Sequence, residues 1–209
     1  MAMESPPRSR TAKDGAAPDD AGKRRRRGPK KVSKSYLENA ALHYLSRFAT
    51  SAENLRRVLM RKVDRSAHHH GTDVQEGAEW VEDLIRRYQR SGLLDDAAYA
   101  EARAGDMLRR GTPTKGIRFK LMQKGVGADD IDTAIKTLAE DTPAPDLAAA
   151  IALARRRRLG PYRPPEVRED RRDKDLAALA RAGFDYDTAR RVIEAETLDD
   201  LDRLLSEAE

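Results

Sequence analysis

Apolar side chains recur along this chain at helical spacing, and almost nowhere in strict alternation. From Tyr36 onward, Tyr36, Leu37, Ala40, Ala41, Tyr44, Leu45 and Phe48 fall at i, i+1, i+4, i+5, which predicts an amphipathic helix beginning near Ser35. Thr50-Ser51-Ala52-Glu53 reads as a capping box, and Leu55, Val58 and Leu59 mark the helix behind it. Val63 to Asp73, with His68, His69, His70 and Gly71, reads as a loop. Val74, Val81, Leu84, Ile85 and Tyr88 then share one side of a third helix that stops at Ser91-Gly92, with Trp80 next to that stripe.

The most informative stretch runs from Leu93 to Ile135. Asp95 or Asp96 can cap a helix carrying Tyr99, Ala100, Ala104, Met107 and Leu108. Thr112-Pro113 opens the next, with threonine as N-cap and proline at the first helical position. Ile117 and Leu121 form its seam and Gly125 ends it. Asp129 and Asp130 begin a third, with Ile131, Ala134, Ile135 and Leu138 on one face. Downstream, Asp141 to Pro145 reads as a linker, and Leu147, Ala150, Ile151 and Ala154 restart a helix ending in four arginines. Gly160-Pro161 and Pro164-Pro165 predict a stiff extended link. Leu176, Leu179 and Ala180 mark another helix stopped at Gly183, and Ala189, Val192 and Ile193 one more. Thr197-Leu198-Asp199-Asp200 caps a last acidic helix with Leu201, Leu204 and Leu205.

Superposing the second helices exposes a repeat. Leu55-Arg56-Arg57-Val58-Leu59-Met60-Arg61-Lys62 aligns with Ile117-Arg118-Phe119-Lys120-Leu121-Met122-Gln123-Lys124-Gly125 and with Leu176-Ala177-Ala178-Leu179-Ala180-Arg181-Ala182-Gly183. After the glycine, Ile131 and Ile135 follow Val126 at the offsets at which Ala189 and Ile193 follow Phe184. The expected fold is therefore all-α: three tandem three-helix bundles stacked in an elongated array, since each trio alone buries only a thin core. The divisions are a disordered basic tail over 1–35 and repeats over 36–92, 93–140 and 146–209, the last with the acidic helix.

Composition adds a charge polarity. The first 35 residues hold 11 Lys/Arg against 4 Asp/Glu, and the last 16 hold 1 against 7. The block Lys23, Arg24, Arg25, Arg26, Arg27, Lys30 and Lys31 is a candidate DNA-contacting arm or a solvated tail. With no cysteine in the chain, disulfides and thiol chemistry are excluded. No apolar run approaches a bilayer span, and no signal-peptide core stands at the N-terminus, so a cytoplasmic protein without a membrane partner is expected.

Candidate chemistry narrows to cations. The Asp-Asp pairs sit at predicted helix starts, where carboxylates serve the backbone amides. Three histidines in a row fall short of the four fixed ligands of a structural metal site. Gly111 to Gly116 lacks the phosphate-loop spacing and a preceding strand. No catalytic residue, cofactor site or metal site is assigned, and the chain is not expected to be an enzyme. Arg47, Arg109, Arg110, Lys115, Arg118, Lys120 and Lys124 gather around helix ends in the first two repeats, and Arg155, Arg156, Arg157 and Arg158 take the matching place in the third. They are candidates for a positive ladder facing a partner or DNA, or for cations that complement helix dipoles.

The frame Ala41-Leu42-x-Tyr44-Leu45-Ser46-Arg47-Phe48-x-Thr50-Ser51, then Gly92-Leu93-Leu94-Asp95-Asp96-x-x-Tyr99-Ala100, Arg110-Gly111 and Lys124-Gly125-Val126 resembles the RecX family of bacterial regulators of the RecA recombinase. The resemblance covers about Tyr36 to Leu138 and extends loosely to about Ala195. It implies a curved array that lies in the groove of the RecA–DNA filament and dampens ATPase and strand-exchange activity during DNA repair and the SOS response. It implies no cofactor, a monomer, and contact with DNA through the filament or the tail. The alternative is a stand-alone helical DNA-binding protein acting through its basic tail and arginine clusters.

Overall fold

The computed structural model describes Gly28 and residues 30–207. Among these every regular element is helical, and no strand occurs. The order is α1 (Lys34–Leu45), α2 (Ala52–His70), α3 (Val74–Arg90), α4 (Asp96–Arg109), α5 (Thr114–Gln123), α6 (Ala128–Asp141), α7 (Pro145–Arg157), α8 (Arg168–Ala182), α9 (Tyr186–Ile193) and α10 (Leu198–Ser206). Two short 3₁₀ turns, Gly160–Tyr162 and Pro165–Val167, sit between α7 and α8.

Capping follows local chemistry with several corrections. Ser51, not Thr50, caps α2 by accepting from the Asn54 amide at 3.2 Å, and Glu53 instead binds Arg56 and Arg57. Asp95 caps α4 through the Ala98 amide, and Thr197 with Asp200 forms a full capping box on α10. The N-cap of α5 is Pro113 rather than Thr112, and α6 starts from Gly127, leaving Asp129 and Asp130 in its first turn. The expected loop from Val63 is helix as far as His70. Val63 is fully buried against Gly77, and buried Ser66 accepts from the Val32 amide at 2.9 Å, so packing extends the helix until Gly71 turns left-handed. Order also begins earlier than Ser35: Val32 is buried in the first core and Ser33 caps α1.

The apolar residues form two clusters. Leu37, Leu55, Leu59, Val63, Val81 and Ile85 centre the core of α1–α3. A single continuous core joins α4–α6 to α7–α10, from Ala104, Ile117 and Leu121 through Leu153 to Leu179, Val192 and Leu201. The junction between α1–α3 and α4–α6 is polar. There the Ala52 amide, first of α2, donates to Asp96 Oδ1 at 2.8 Å, Ser51 Oγ donates to the Lys124 carbonyl, and Arg57 reaches the Gln123 carbonyl at 2.8 Å.

The second junction repeats the first contact. The Thr114 amide, first of α5, donates to Asp146 Oδ1 at 2.6 Å. In both places a carboxylate from the first turn of the next trio serves the leading amide of the previous trio's second helix. Each of those helix starts also rests on a left-handed glycine turn farther along the chain. A methyl group placed on Gly125 would lie 2.2 Å from Glu53 Cγ, and one on Gly183 would lie 3.5 Å from Pro113 Cγ. Helix start thus meets helix end, an orientation that the backbone dipoles favour.

The third trio carries a substitution in its core. Leu55 and Ile117 each lie four residues after the N-cap of their helix, and Leu59 and Leu121 lie four further on. Counting back from the terminal glycine, Leu179 matches Leu121, so Asp175, not Leu176, holds the place of Ile117. Leu176 is only half-buried. Asp175 is buried and ion-paired: it accepts from Arg163 Nε at 2.6 Å, from Arg163 Nη2 at 2.8 Å and from the Gly160 amide at 3.0 Å. Arg168 adds hydrogen bonds to the carbonyls of Pro161, Arg163 and Glu196. These charges fold the Pro-rich segment into two tight turns instead of the extended link its prolines predict.

Three stability outcomes follow from these contacts. Asp175→Ala leaves Arg163 and the Gly160 amide without their acceptor and is expected to cost about 3 kcal/mol in denaturant unfolding. Gly71→Ala and Gly125→Ala both bear the left-handed strain, about 1–2 kcal/mol. Gly125→Ala also drives a methyl group into Glu53, so it is expected to cost more than Gly71→Ala, whose site has open space.

The third outcome concerns Asp96. Its carboxyl is pushed above the usual range, chiefly by burial, against the opposing pull of the Ala52 amide and with help from the charges of Asp130 and Asp95. A raised carboxyl means that the folded chain favours the protonated form. The Asp96 contribution is therefore greatest below the ordinary carboxylate pKa and declines as pH rises through the folded value. Asp96→Ala is expected to cost about 1 kcal/mol through the lost cap. Asp96→Asn keeps the acceptor and is expected to flatten the pH dependence of stability at and above the ordinary carboxylate range, where the wild type loses this contribution.

Candidate partner-facing groove

The polar junction opens on one side as a groove of about 860 Å³. Its walls come from the end of α1 and the following loop (Tyr44, Arg47, Phe48), from the α3–α4 connection (Leu93), from α4 (Tyr99, Arg103, Arg109) and from the end of α5 (Lys124). α1 ends at Leu45 with its C-cap at Ser46, which takes Phe48 out of helical phase. Phe48 therefore leaves the predicted core stripe and stands 53% exposed, its ring centroid 5.1 Å from that of Tyr44. Tyr44 is held in turn by the Asn54 amide group, which donates to its hydroxyl at 3.1 Å. Leu93 is likewise exposed while its neighbour Leu94 fills the first core.

The groove is cationic on balance. Asp106 on α4 is shared by three arginines: Arg103 at 3.2 Å, Arg110 at 3.0 Å and Arg109 at 3.7 Å. Asp95 is occupied with capping α4. Arg47 and Lys124 make no salt bridge among the described residues. The groove therefore offers fixed positive charge beside exposed ring surface. Such a surface can hold a partner by charge and by contact.

The sequence-selected cations fall into separate places. Arg47, Arg109 and Lys124 meet in the groove, with Arg110 beside it on the same acidic anchor. Arg118 is tied to Asp132 on α6. Lys115 and Lys120 are exposed on α5. Arg155, Arg156 and Arg157 form the last turn of α7 and Arg158 its left-handed C-cap; all four are exposed. The buried contact of Gly111 with Leu153 sets the end of α4 against the last turns of α7. Lys30 and Lys31 are exposed at the root of the tail, and Lys23, Arg24, Arg25, Arg26 and Arg27 lie outside the described residues. His68, His69 and His70 occupy the last turn of α2. Among the described residues no group of three or more His, Asp or Glu is placed to hold a metal ion, and no helix is long and apolar enough to cross a membrane.

Sequence reasoning missed the aromatic half of the groove. Phe48 reads as core because it continues the spacing of α1, and only the helix end at Leu45 reverses it. Phe119 and Met122 on α5 are a second exposed apolar pair, and they too lie beside the seam residues Ile117 and Leu121.

Comparison with known proteins decides the family. The family profile described as RecX, second three-helix domain, matches residues 95–135. The regulatory protein RecX of Myxococcus xanthus (strain DK1622) is 45% identical over 179 residues, covering 85% of this chain and 95% of that one. The chain belongs to the RecX family. The regulatory protein RecX of Agrobacterium fabrum is 33% identical over 83% of this chain and 90% of its own length. A solved structure described as the crystal structure of regulatory protein RecX superposes with a TM-score of 0.54 at 26% identity, covering 78% of this chain and 72% of that chain. The RecX family profile falls on α4–α6, the trio that contributes to both junctions.

A charge-reversing pair, Arg47→Glu with Lys124→Glu, removes cations that no salt bridge holds. It is expected to change the melting temperature by less than about 2 °C while altering partner binding, as read by thermal scanning beside a pull-down.

Proposed function

We propose that this RecX-family chain is a non-enzymatic regulator that binds the RecA–DNA filament and lowers recombinase ATPase and strand exchange in DNA repair and the SOS response. The observation that carries this reading is the near full-length similarity to proteins named regulatory protein RecX. Its physical support is the recurring junction, in which the same helix-end contact is used twice. A regular stack of three trios, divided as 36–92, 93–140 and 146–209, would present equivalent surfaces at intervals. Contacts that are weak one by one then add through effective concentration along a helical polymer. The cations at the ends of α4 and α7, with the groove, are the surfaces offered to that polymer. The chain works as a cytoplasmic monomer, and DNA contact comes through the filament or the basic tail.

The test is direct. The purified chain is added to RecA assembled on single-stranded DNA, and ATP hydrolysis and strand exchange are followed. Both are expected to fall at micromolar protein, and no effect on either sinks the reading. The tail is separated by removing residues 1–29, which spares buried Val32 and the Ser33 cap. Most inhibition is expected to survive that truncation. Its loss favours instead a stand-alone DNA-binding protein acting through the tail.

A further inference from the structure

Two apolar bodies meet in this chain at a narrow place. Among the described residues the core of α1–α3 shares no member with the core that runs through α4–α10. Leu94 sits in the first core, and its amide donates to the Tyr88 carbonyl at 3.1 Å, so the connection belongs to α3 up to that residue. Asp95 already belongs to α4, because its carbonyl accepts from the Tyr99 amide at 3.0 Å. The covalent link between the bodies is therefore the Leu94–Asp95 step, with Asp95 in extended backbone at φ −134° and ψ 101°. Beside that link the bodies are held by polar contacts: the Ala52 amide on Asp96, Ser51 on the Lys124 carbonyl and Arg57 on the Gln123 carbonyl. Arg57 is half-exposed where it makes its bond. At the second joint, by contrast, Gly111 lies against Leu153 inside the shared core. A small polar interface with a short link permits rotation, and an apolar core that crosses the joint does not.

We propose that Leu94–Asp95 is a hinge about which α1–α3 swings as a rigid arm, with Asp96 and Arg57 as its latches. The swing sets the width of the groove, because the opposing walls belong to different bodies: Tyr44 and Phe48 to the arm, Arg103, Arg109 and Lys124 to the rest. The joint between α4–α6 and α7–α10 stays closed. The inference is independent of what the groove binds and of any effect on a recombinase, so its test uses the chain alone.

The chain has no cysteine, so spin labels can be placed on introduced cysteines in the full-length protein. Gln89→Cys with Thr133→Cys spans the first joint, and Thr133→Cys with Lys174→Cys spans the second; all three positions are exposed. Double electron–electron resonance gives the distance distribution of each pair. The first is expected to be about twice as broad as the second. Arg57→Ala together with Asp96→Ala is expected to broaden the first further and to leave the second unchanged. Asp146→Ala removes the matching contact at the second joint, and the second distribution is expected to stay as narrow as in the wild type. Circular dichroism and thermal melting check that both bodies remain folded, and the wild-type comparison stands without any latch variant. Equal widths for the two wild-type pairs overturn the hinge, as does a first distribution that the double substitution leaves unchanged. Broadening of the second pair by Asp146→Ala overturns the locked second joint. Each of these outcomes leaves the ATPase assay with RecA to be read on its own.

Discussion

The architecture depends on how one helix end is satisfied by the next trio of helices. A helix start leaves amides without intrahelical partners, and burial makes an unmet amide costly. At the starts of α2 and α5 the leading amide is met by Asp96 and Asp146, each from the first turn of the following trio. The carboxyl group there meets the amide and the positive end of the helix dipole, and at Asp96 burial outweighs both and raises the carboxyl above its usual range. Its position fixes the spacing of neighbours, because the bond forms only when the two helices approach in one way. The left-handed glycines complete the joint by letting a helix start come within contact of the turn beyond.

The two joints share this rule and differ in their backing. Behind Asp146 lies a continuous apolar core that binds α4–α10 into one body. Behind Asp96 lie Ser51, Arg57 and two backbone carbonyls, with the core of α1–α3 closed off on its own side. Hydrogen bonds across a seam open to water contribute less than buried apolar area. The first joint is accordingly the weaker one, and it is the one that borders the groove. The same sparse packing that weakens the joint leaves Phe48, Leu93 and the rim cations uncovered.

Asp175 is a buried carboxylate at a helix position where α2 and α5 carry apolar side chains. The position that holds Leu55 and Ile117 in the earlier helices holds a carboxylate in α8, and an arginine fork plus a backbone amide surround it. A buried charge survives only when its lone pairs are met. Here the arginine fork and the Gly160 amide meet those lone pairs, while Leu159 and Pro161 bury the apolar side of the same segment.

The sequence alone determined the helical class, the existence and order of the helices among the described residues, and the family. Those features are local: a 3.6-residue apolar period, capping residues at helix starts, and glycines where the backbone turns left-handed. Motifs such as Gly92-Leu93-Leu94-Asp95-Asp96 are contiguous and need no neighbours to be legible. Tertiary structure decided what depends on contact between distant segments. It extended α2 to His70 because Val63 and Ser66 found partners in α3 and Val32. It gave Asp96 and Asp146 to helices other than their own. It moved the third register by one residue, because Asp175 is core only when Arg163 folds back onto it. It turned Phe48 from core to surface, because a helix that stops three residues early ends the phase that periodicity assumes.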